Sequence, residues 1–425
     1  MFSFPMGRGL PSADYQYDLV DTQRGSPQGR LFPSDVVQAH PFTPATNATV
    51  EPWYCEGDLT TATTARIGAA ATIDAFVKHR TTYWSEQDLV TMASHGVNTV
   101  RLNVGWWAFH SFPLPAEESI ITDPCYGNKT FVTLSEGFLT MWMDRFAAHG
   151  IQVLFDLHAM PCGSADGTYN GVFPQKPLFF ENATAQSIGL QVIDNMLSWY
   201  NALNPARRAA VYGFTLLNEP GHLMVPGMIP TAAPIVSWLR DAVALYEKKV
   251  VTGVESPPML LMNLIGTAFN YPACSDQVAC MVNVTAVDLD LAHKDWAVFD
   301  VHHYFAWDGG SGIPMQNCST AAALRSYVDV GMTSYMTEIV TKGNKVGLYN
   351  FATSEWSLCT HRNDSQACQA PDSQTIMHEG QREAFRKEGF ANFFWGWNMP
   401  YGGWHEAKWS LKHFLTGAHG AREGW

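Results

Sequence analysis

The stretch "GFTLLNEPGH", Gly213 to His222, runs through residues suited to a strand buried on both faces, then stops in an amide, a carboxylate and a proline. Proline cannot donate to a strand ladder, so Pro220 ends the strand and leaves Glu219 at its tip. A second apolar run, Tyr349 to Glu355, ends at "SEW" in the same manner. A buried carboxylate is costly unless it is paired or used. Two of them at strand ends are the minimal equipment for breaking a glycosidic bond. One stays protonated and donates to the leaving oxygen; the other stays ionised and attacks the anomeric carbon. A neighbouring cation lowers a carboxyl pKa and apolar burial raises it, so one site can hold both forms.

Other chemistry-bearing residues close apolar runs as well. In chain order they are Arg101, Asp156 with His158, Asn218 with Glu219, His302, His303 and Tyr304, Glu355, then Trp395 and Trp397. Buried polar groups this dense need a task or full pairing. Arg101 is the one cation of the set charged at every pH, and it is expected beside the nucleophile. His302 and His303 are strand neighbours and face opposite ways. The spacing groups His302 with Tyr304 and leaves His303 as a packed structural histidine. Asp156 faces the same way as His158 one layer deeper, and a structural role is expected. At least one of Trp106 and Trp107 is expected in the core. A metal site drawn from Asp156, His158 and His302 lacks a local histidine pair facing one way, so no metal is expected.

These side chains need strands to deliver them. "SEQDLVTMASHGVNTVRLNV" begins with Ser85 as N-cap and Asp88 at the third helical position, ends its helix at Gly96, and continues into a strand from Asn98 to Val104. "SEGFLTMWMDRFAAHGIQVLFDLH" repeats the design, with Ser135 as cap, Phe138, Leu139, Trp142 and Phe146 on one face, and a strand from Gln152 to His158. Buried strands are also expected at Val211–Leu217, Met259–Leu264, Ala297–His303, Tyr349–Glu355 and Asn392–Trp397, with helices at Thr231–Val250 and Gln374–Gly389. Alternating helix and strand predicts an α/β protein with a parallel sheet. An eighth strand near Val50–Trp53 would close a (β/α)8 TIM barrel, whose chemistry sits at the C-terminal strand ends. The competing fold, a doubly wound open sheet, lacks its Gly-rich phosphate loop here, and no organic cofactor is expected. Residues 1–45 are turn-rich and are expected to wrap the barrel as an extension of a catalytic domain at 46–425.

Composition narrows the partner. With 46% hydrophobic and 13% aromatic residues, the 425-residue chain folds around a sizeable core. A net charge of −13 argues against nucleic acid and anionic membrane, and suits a neutral substrate. No apolar run reaches membrane-spanning length. The N-terminus lacks a signal peptide's apolar core, so a leader or anchor is expected to have been removed, or the chain to begin downstream of one. Eight cysteines show no zinc spacing, and two local disulfide bridges are expected, Cys274 with Cys280 and Cys359 with Cys368. Together with sequons at Asn47, Asn128, Asn182, Asn283, Asn317 and Asn363, they point to an oxidising, secreted setting. Nothing in the sequence fixes an oligomeric state.

"VNTVRLNVGWWAF", "VLFDLHAMPCGS", "FTLLNEP", "VFDVHHYFAW", "SEWSL" and "FFWGWN" resemble glycoside hydrolase family five, and within it the fungal exo-β-1,3-glucanases. The likeness runs from about Glu51 to Leu415 with the motifs in order. It implies Glu219 as acid/base and Glu355 as nucleophile. It also implies Asn218 as the holder of the sugar 2-hydroxyl, and Arg101 and Tyr304 as the groups that orient the nucleophile. His158 and His302 match sugar-binding histidines, Trp395 the floor under the cleaved sugar, and Trp307 an aromatic wall of the acceptor site. Four segments depart from the family: "TPATNATVEPWYCEG", the loop with an extra Cys162, "NMPYGGW", and Gly221–Ala233. All lie on or near substrate-facing loops and so bear on linkage and on exo or endo action. The resemblance implies a β-glucan substrate. An endo-β-1,4-glucanase or mannanase on the same machinery, and a catalytically silent glucan-binding protein, are the alternatives.

Overall fold

The computed structural model describes residues 2–5, 56–166, 168–173, 175–222, 232–264, 276–305, 320–358, 371–397 and 409–417. Its strands are β1 (Phe2–Pro5), β2 (Thr99–Gly105), β3 (Ile120–Thr122), β4 (Thr130–Val132), β5 (Gln152–Ala159), β6 (Val211–Thr215), β7 (Met259–Asn263), β8 (Ala297–His302), β9 (Phe351–Trp356) and β10 (Phe390–Phe394). All but the small β3–β4 hairpin join one closed barrel in the order β1-β10-β9-β8-β7-β6-β5-β2. The fold is a (β/α)8 barrel. Each strand expected after Asn98 is present within a few residues of its predicted bounds. The eighth strand of the barrel is β1, which lies beside β10 with Phe2 opposite Phe394. Val50–Trp53, where that strand was expected, lies outside the described residues.

The chain divides into two compact units. The larger, Pro5–Met259 with Thr267–Pro272, carries β2, β5 and β6. Every residue of β2 is buried, as a parallel strand covered on both faces requires. Ser85 and Asp88 form the expected capping box on α3 (Glu86–Ser94), following α1 (Glu56–Ile67) and α2 (Ala69–Thr82). Ser135 caps α4 (Glu136–Ala148), whose Phe138, Leu139, Trp142 and Phe146 are all buried. Gly96 and Gly150 follow these helices with φ of 79° and 70°, a left-handed turn that glycine takes without strain. Gly213 has another purpose: a Cβ there would stand 2.2 Å from the Met259 carbonyl oxygen, so only glycine lets the chains approach this closely. Trp84 and Trp142 are fully buried and meet edge-on at 5.5 Å, and Trp199 meets Phe155 of β5 at 5.3 Å.

The second unit, Met1–Phe4 with Leu260–Gly266 and Ala273–Trp425, carries β8, β9 and β10. Its register sets Phe299 and Phe390 opposite Phe351, and His302 opposite Glu355 after a shift in the ladder. After α5 (Ala183–Ala202), α6 (Pro205–Ala209), α7 (Ala233–Tyr246) and α8 (Gln277–Asn283) in chain order come α9 (Ala321–Lys345) and α10 (Pro371–Glu388), which pack together. Trp356 is sealed in by Phe385 and Phe394 at ring distances of 5.3 and 4.9 Å.

Candidate active site

In the larger unit, the residues expected at strand ends form one buried network. The Arg101 guanidinium is fully buried, and its Nη2 donates to Asn218 Oδ1 at 2.6 Å and lies 3.0 Å from Asp156 Oδ2. The same carboxylate oxygen is 2.6 Å from His158 Nδ1. This fixes two orientations at once. Asn218 turns its oxygen to Arg101 and therefore its Nδ2 toward His158 Nε2, 3.4 Å away. His158 carries its proton on Nδ1 and leaves Nε2 as an acceptor. Asp156 has the structural role expected of it, since it pairs the buried cation and sets the imidazole. Leaving either member of such a buried pair alone typically costs ~3–5 kcal/mol.

Glu219 follows directly, buried, with φ of 42°. A non-glycine residue in the left-handed region is strained by roughly 1–3 kcal/mol, and such strain gathers at functional positions. The turn is tied in place: His222 N donates to the Glu219 carbonyl at 3.0 Å, Gly221 N to the Ser164 carbonyl at 2.8 Å, and Asp166 N to the His222 carbonyl at 2.9 Å. His222 Nε2 lies 4.0 Å from Glu219 Oε2. The loop that holds this turn is bridged by Cys125–Cys162. The partner of Cys162 stands 37 positions away, beyond the reach of local cysteine spacing. Asp123 accepts from the backbone N–H groups of both cysteines at 2.8 and 2.9 Å, and burial raises its pKa. Tyr169, on the same loop, meets the His158 ring edge-on at 5.5 Å.

In the second unit, Glu355 is the penultimate residue of β9, one position short of the strand's end. Tyr304 OH donates to Glu355 Oε2 at 2.7 Å, and His302 Nδ1 lies 3.4 Å from the same oxygen. His302 and Tyr304 thus share a side, as their spacing indicated. His303 faces away, its ring stacked on Tyr335 at 5.0 Å and edge-on to Phe305 at 4.9 Å. Its backbone N–H donates to the Glu355 carbonyl at 3.0 Å. Trp395, just after β10, is half-buried and donates its backbone N–H to the Trp356 carbonyl at 2.8 Å. Trp409 comes against Tyr304 at 5.4 Å, an aromatic neighbour that no motif announced. Both Trp106 and Trp107 are core residues, and Trp107 stacks on Phe131 at 4.0 Å.

Several expected positions lie outside the described residues: Trp307, Cys274, Cys359, Cys368, Asn47, Asn317 and Asn363. Cys280 is disulfide-bonded. Asn128 and Asn283 are exposed, while Asn182 is half-buried and caps α5 (Ala183–Ala202) through its side-chain oxygen. No described helix is long and apolar enough to cross a membrane.

No family model matches the chain. A sporulation-specific glucan 1,3-β-glucosidase of Saccharomyces cerevisiae is 29% identical over 156 residues, 36% of this chain and 31% of that protein. A glucan 1,3-β-glucosidase of Pichia angusta is 30% identical over 144 residues, 34% and 29% of the two chains. Glucan 1,3-β-glucosidase 1 of Schizosaccharomyces pombe is 26% identical over 224 residues, 52% and 48%. The chain therefore spans about a third to a half of the length of the curated relatives it matches. Among solved structures, rutinosidase from Aspergillus niger superposes with a TM-score of 0.58 at 15% identity, covering 85% of this chain and 88% of that one. The AoRut structure gives 0.57 at 17%, with the same coverage. At these identities the likeness is one of fold.

Proposed function

For a (β/α)8 chain whose homologues are fungal glucan 1,3-β-glucosidases, we propose hydrolysis of β-glucan by retaining double displacement, with Glu355 as nucleophile and Glu219 as acid/base. The observation that carries this reading is the environment of Glu355. A hydroxyl donor and an imidazole converge on one oxygen of a buried carboxylate near the tip of β9, which holds that carboxylate in one orientation. Glu355 attacks the anomeric carbon while Glu219 gives its proton to the departing oxygen. A water then enters, Glu219 takes its proton, and the Glu355 ester is cleaved. Asn218, oriented by Arg101, would hold the sugar 2-hydroxyl, and His158 and His302 would bind neighbouring hydroxyls. Trp395 would form the floor under the sugar, with Trp307 a wall of the acceptor site. The Cys125–Cys162 bridge supports an oxidising, extracellular location.

Two measurements test the reading. Laminarin-type β-1,3-glucan is expected to be turned over faster than carboxymethyl-cellulose or mannan, with glucose released from the chain end. A 2-fluoro-glucosyl inactivator is expected to label the peptide containing Ser354, Glu355 and Trp356. Preference for a β-1,4 polymer overturns the linkage, an early ladder of oligosaccharides the exo action, and label on Glu219 the assignment of roles.

A further inference from the structure

Behind His302, on the side away from Glu355, lies a buried chain of hydrogen bonds that neither the sequence motifs nor the proposed mechanism uses. Asp300 is fully buried on β8 and Ser354 fully buried on β9. Ser354 N donates to Asp300 Oδ1 at 2.8 Å, and Ser354 Oγ donates to Asp300 Oδ2 at 2.5 Å. The second is the length of a charge-assisted O–H···O⁻ bond. Asn263 Nδ2 supports the same oxygen at 3.2 Å. His302 Nε2 stands 3.0 Å from Ser354 Oγ.

A serine hydroxyl has one proton, and here Asp300 receives it. Toward His302, Ser354 Oγ can then only accept, so His302 must carry a proton on Nε2. That leaves Nδ1 for Glu355 Oε2, 3.4 Å away. A neutral imidazole with its proton on Nε2 would turn a lone pair toward the carboxylate, and the two would repel. The arrangement is favourable when Nδ1 is protonated too, giving an imidazolium between two carboxylates.

We propose that Ser354 and Asp300 are positioning residues that fix the protonation of His302, so that an imidazolium Nδ1–H faces Glu355. This rests on the reading of Glu355 as nucleophile and adds what holds it ready. The relay Asp300⁻···H–Oγ Ser354···H–Nε2 His302 Nδ1–H···⁻Glu355 sets a donor against the nucleophile. The same donor stabilises the carboxylate as it leaves the sugar in the second step. Among the described residues of this unit, Asp300, Tyr304 and Glu355 are ionisable groups near His302, while His303 is turned away against Tyr335.

The test is ¹⁵N NMR on the full chain with labelled histidine, assigned by comparison with His302→Gln, alongside kinetics on an aryl β-glucoside. In the wild type, His302 Nε2 is expected protonated from acid to neutral pH, with Nδ1 protonated wherever the enzyme is active. Ser354→Ala should release the tautomer, and kcat should fall by about 10–100-fold, the scale of one hydrogen bond to a charged group. The alkaline limb of its pH profile should move to lower pH, with KM less affected. Ser354→Thr keeps the hydroxyl and should restore both the NMR signature and the pH limb. An unprotonated Nε2 in the active wild type overturns the proposal, with no need for a variant to fold. So does a Ser354→Ala enzyme with unchanged tautomer and pH profile. A wild type that cleaves no glucan yet shows the fixed Nε2 proton refutes the proposed function and leaves the relay standing.

Discussion

Glu219 stands in a backbone conformation that an L-residue avoids, and three backbone hydrogen bonds hold the turn that follows it. Strain kept at a carboxylate suggests that its direction matters more than the local cost. If that direction serves proton donation, Glu219→Ala should lose glucan hydrolysis by ~10²–10⁴-fold, the usual worth of general-acid assistance. The first step on aryl glycosides with acidic leaving groups should be nearly spared, because no proton is needed there. Pre-steady-state release of the phenol reads this directly, and equal losses on both substrates would make Glu219 structural. Both glutamates were legible in the sequence because each interrupts an apolar run abruptly. Asp300 and Ser354 were not. Their significance lies in a pairing across β8 and β9, and neither residue is unusual within its own strand. His222 was hidden in the same way, since only the turn brings it within 4.0 Å of Glu219.

At the scale of elements, helices with a capping serine and a terminal glycine could be read to within a residue or two, since those signals are local. Helix α9, 25 residues long, was not anticipated, because its apolar positions form no sharp stripe. The Cys125–Cys162 bridge escaped for a related reason: local spacing favours near neighbours, and this loop closes over 37 residues. The bridge has a mechanical consequence. Leu178 N donates to the Cys162 carbonyl at 2.8 Å and Phe179 N to the Gly163 carbonyl at 3.1 Å. At the next residue, the Ser164 carbonyl accepts from Gly221, within the Glu219 turn. Replacing both cysteines by serine should lower stability by about 3–4 kcal/mol on the chain-entropy scale for a loop of this length. It should also slow substrates with poor leaving groups more than aryl glycosides with good ones. Thermal melts and the ratio of the two rates check this. A variant that melts like the wild type, with an unchanged ratio, would show that the bridge clamps nothing.

For the whole molecule, the helix–strand alternation disclosed the barrel. The closing strand β1 was obscure because four residues of "FSFP" carry too short a pattern to read. Stability of the whole depends on buried titratable groups whose side chains take no part in the proposed chemistry. His303, although only half-buried as a residue, has its ring packed between Tyr335 and Phe305, and desolvation pushes its pKa down to about 4. His378, against Phe414 and Trp356, is likewise pushed down to about 4 by burial, with the Arg382 charge adding to it. Both bind fewer protons folded than unfolded, so the stability they secure is complete above pH ~6.5 and is lost as pH falls toward 4. At 1.36 kcal/mol per pKa unit, His303 accounts for about 3 kcal/mol of that loss. Glu56 acts in the opposite sense. It touches Arg80 at 2.7 Å, but full burial outweighs that attraction and raises its pKa to about 7. The folded state then holds the extra proton, and stability falls as pH rises from ~4.5 to 7. Two histidines against one glutamate leave a net loss on acidification between pH ~6.5 and 4.5. Bringing the net charge of −13 toward neutrality relieves self-repulsion over the same range, so the slope must be read from variants and not from one curve. His303→Phe keeps the aromatic packing and removes one titration, and should flatten the fall in Tm. Glu56→Gln removes the opposing group and should steepen it. Melting curves at half-unit pH steps decide, and parallel curves for all three proteins would mean that neither burial governs stability.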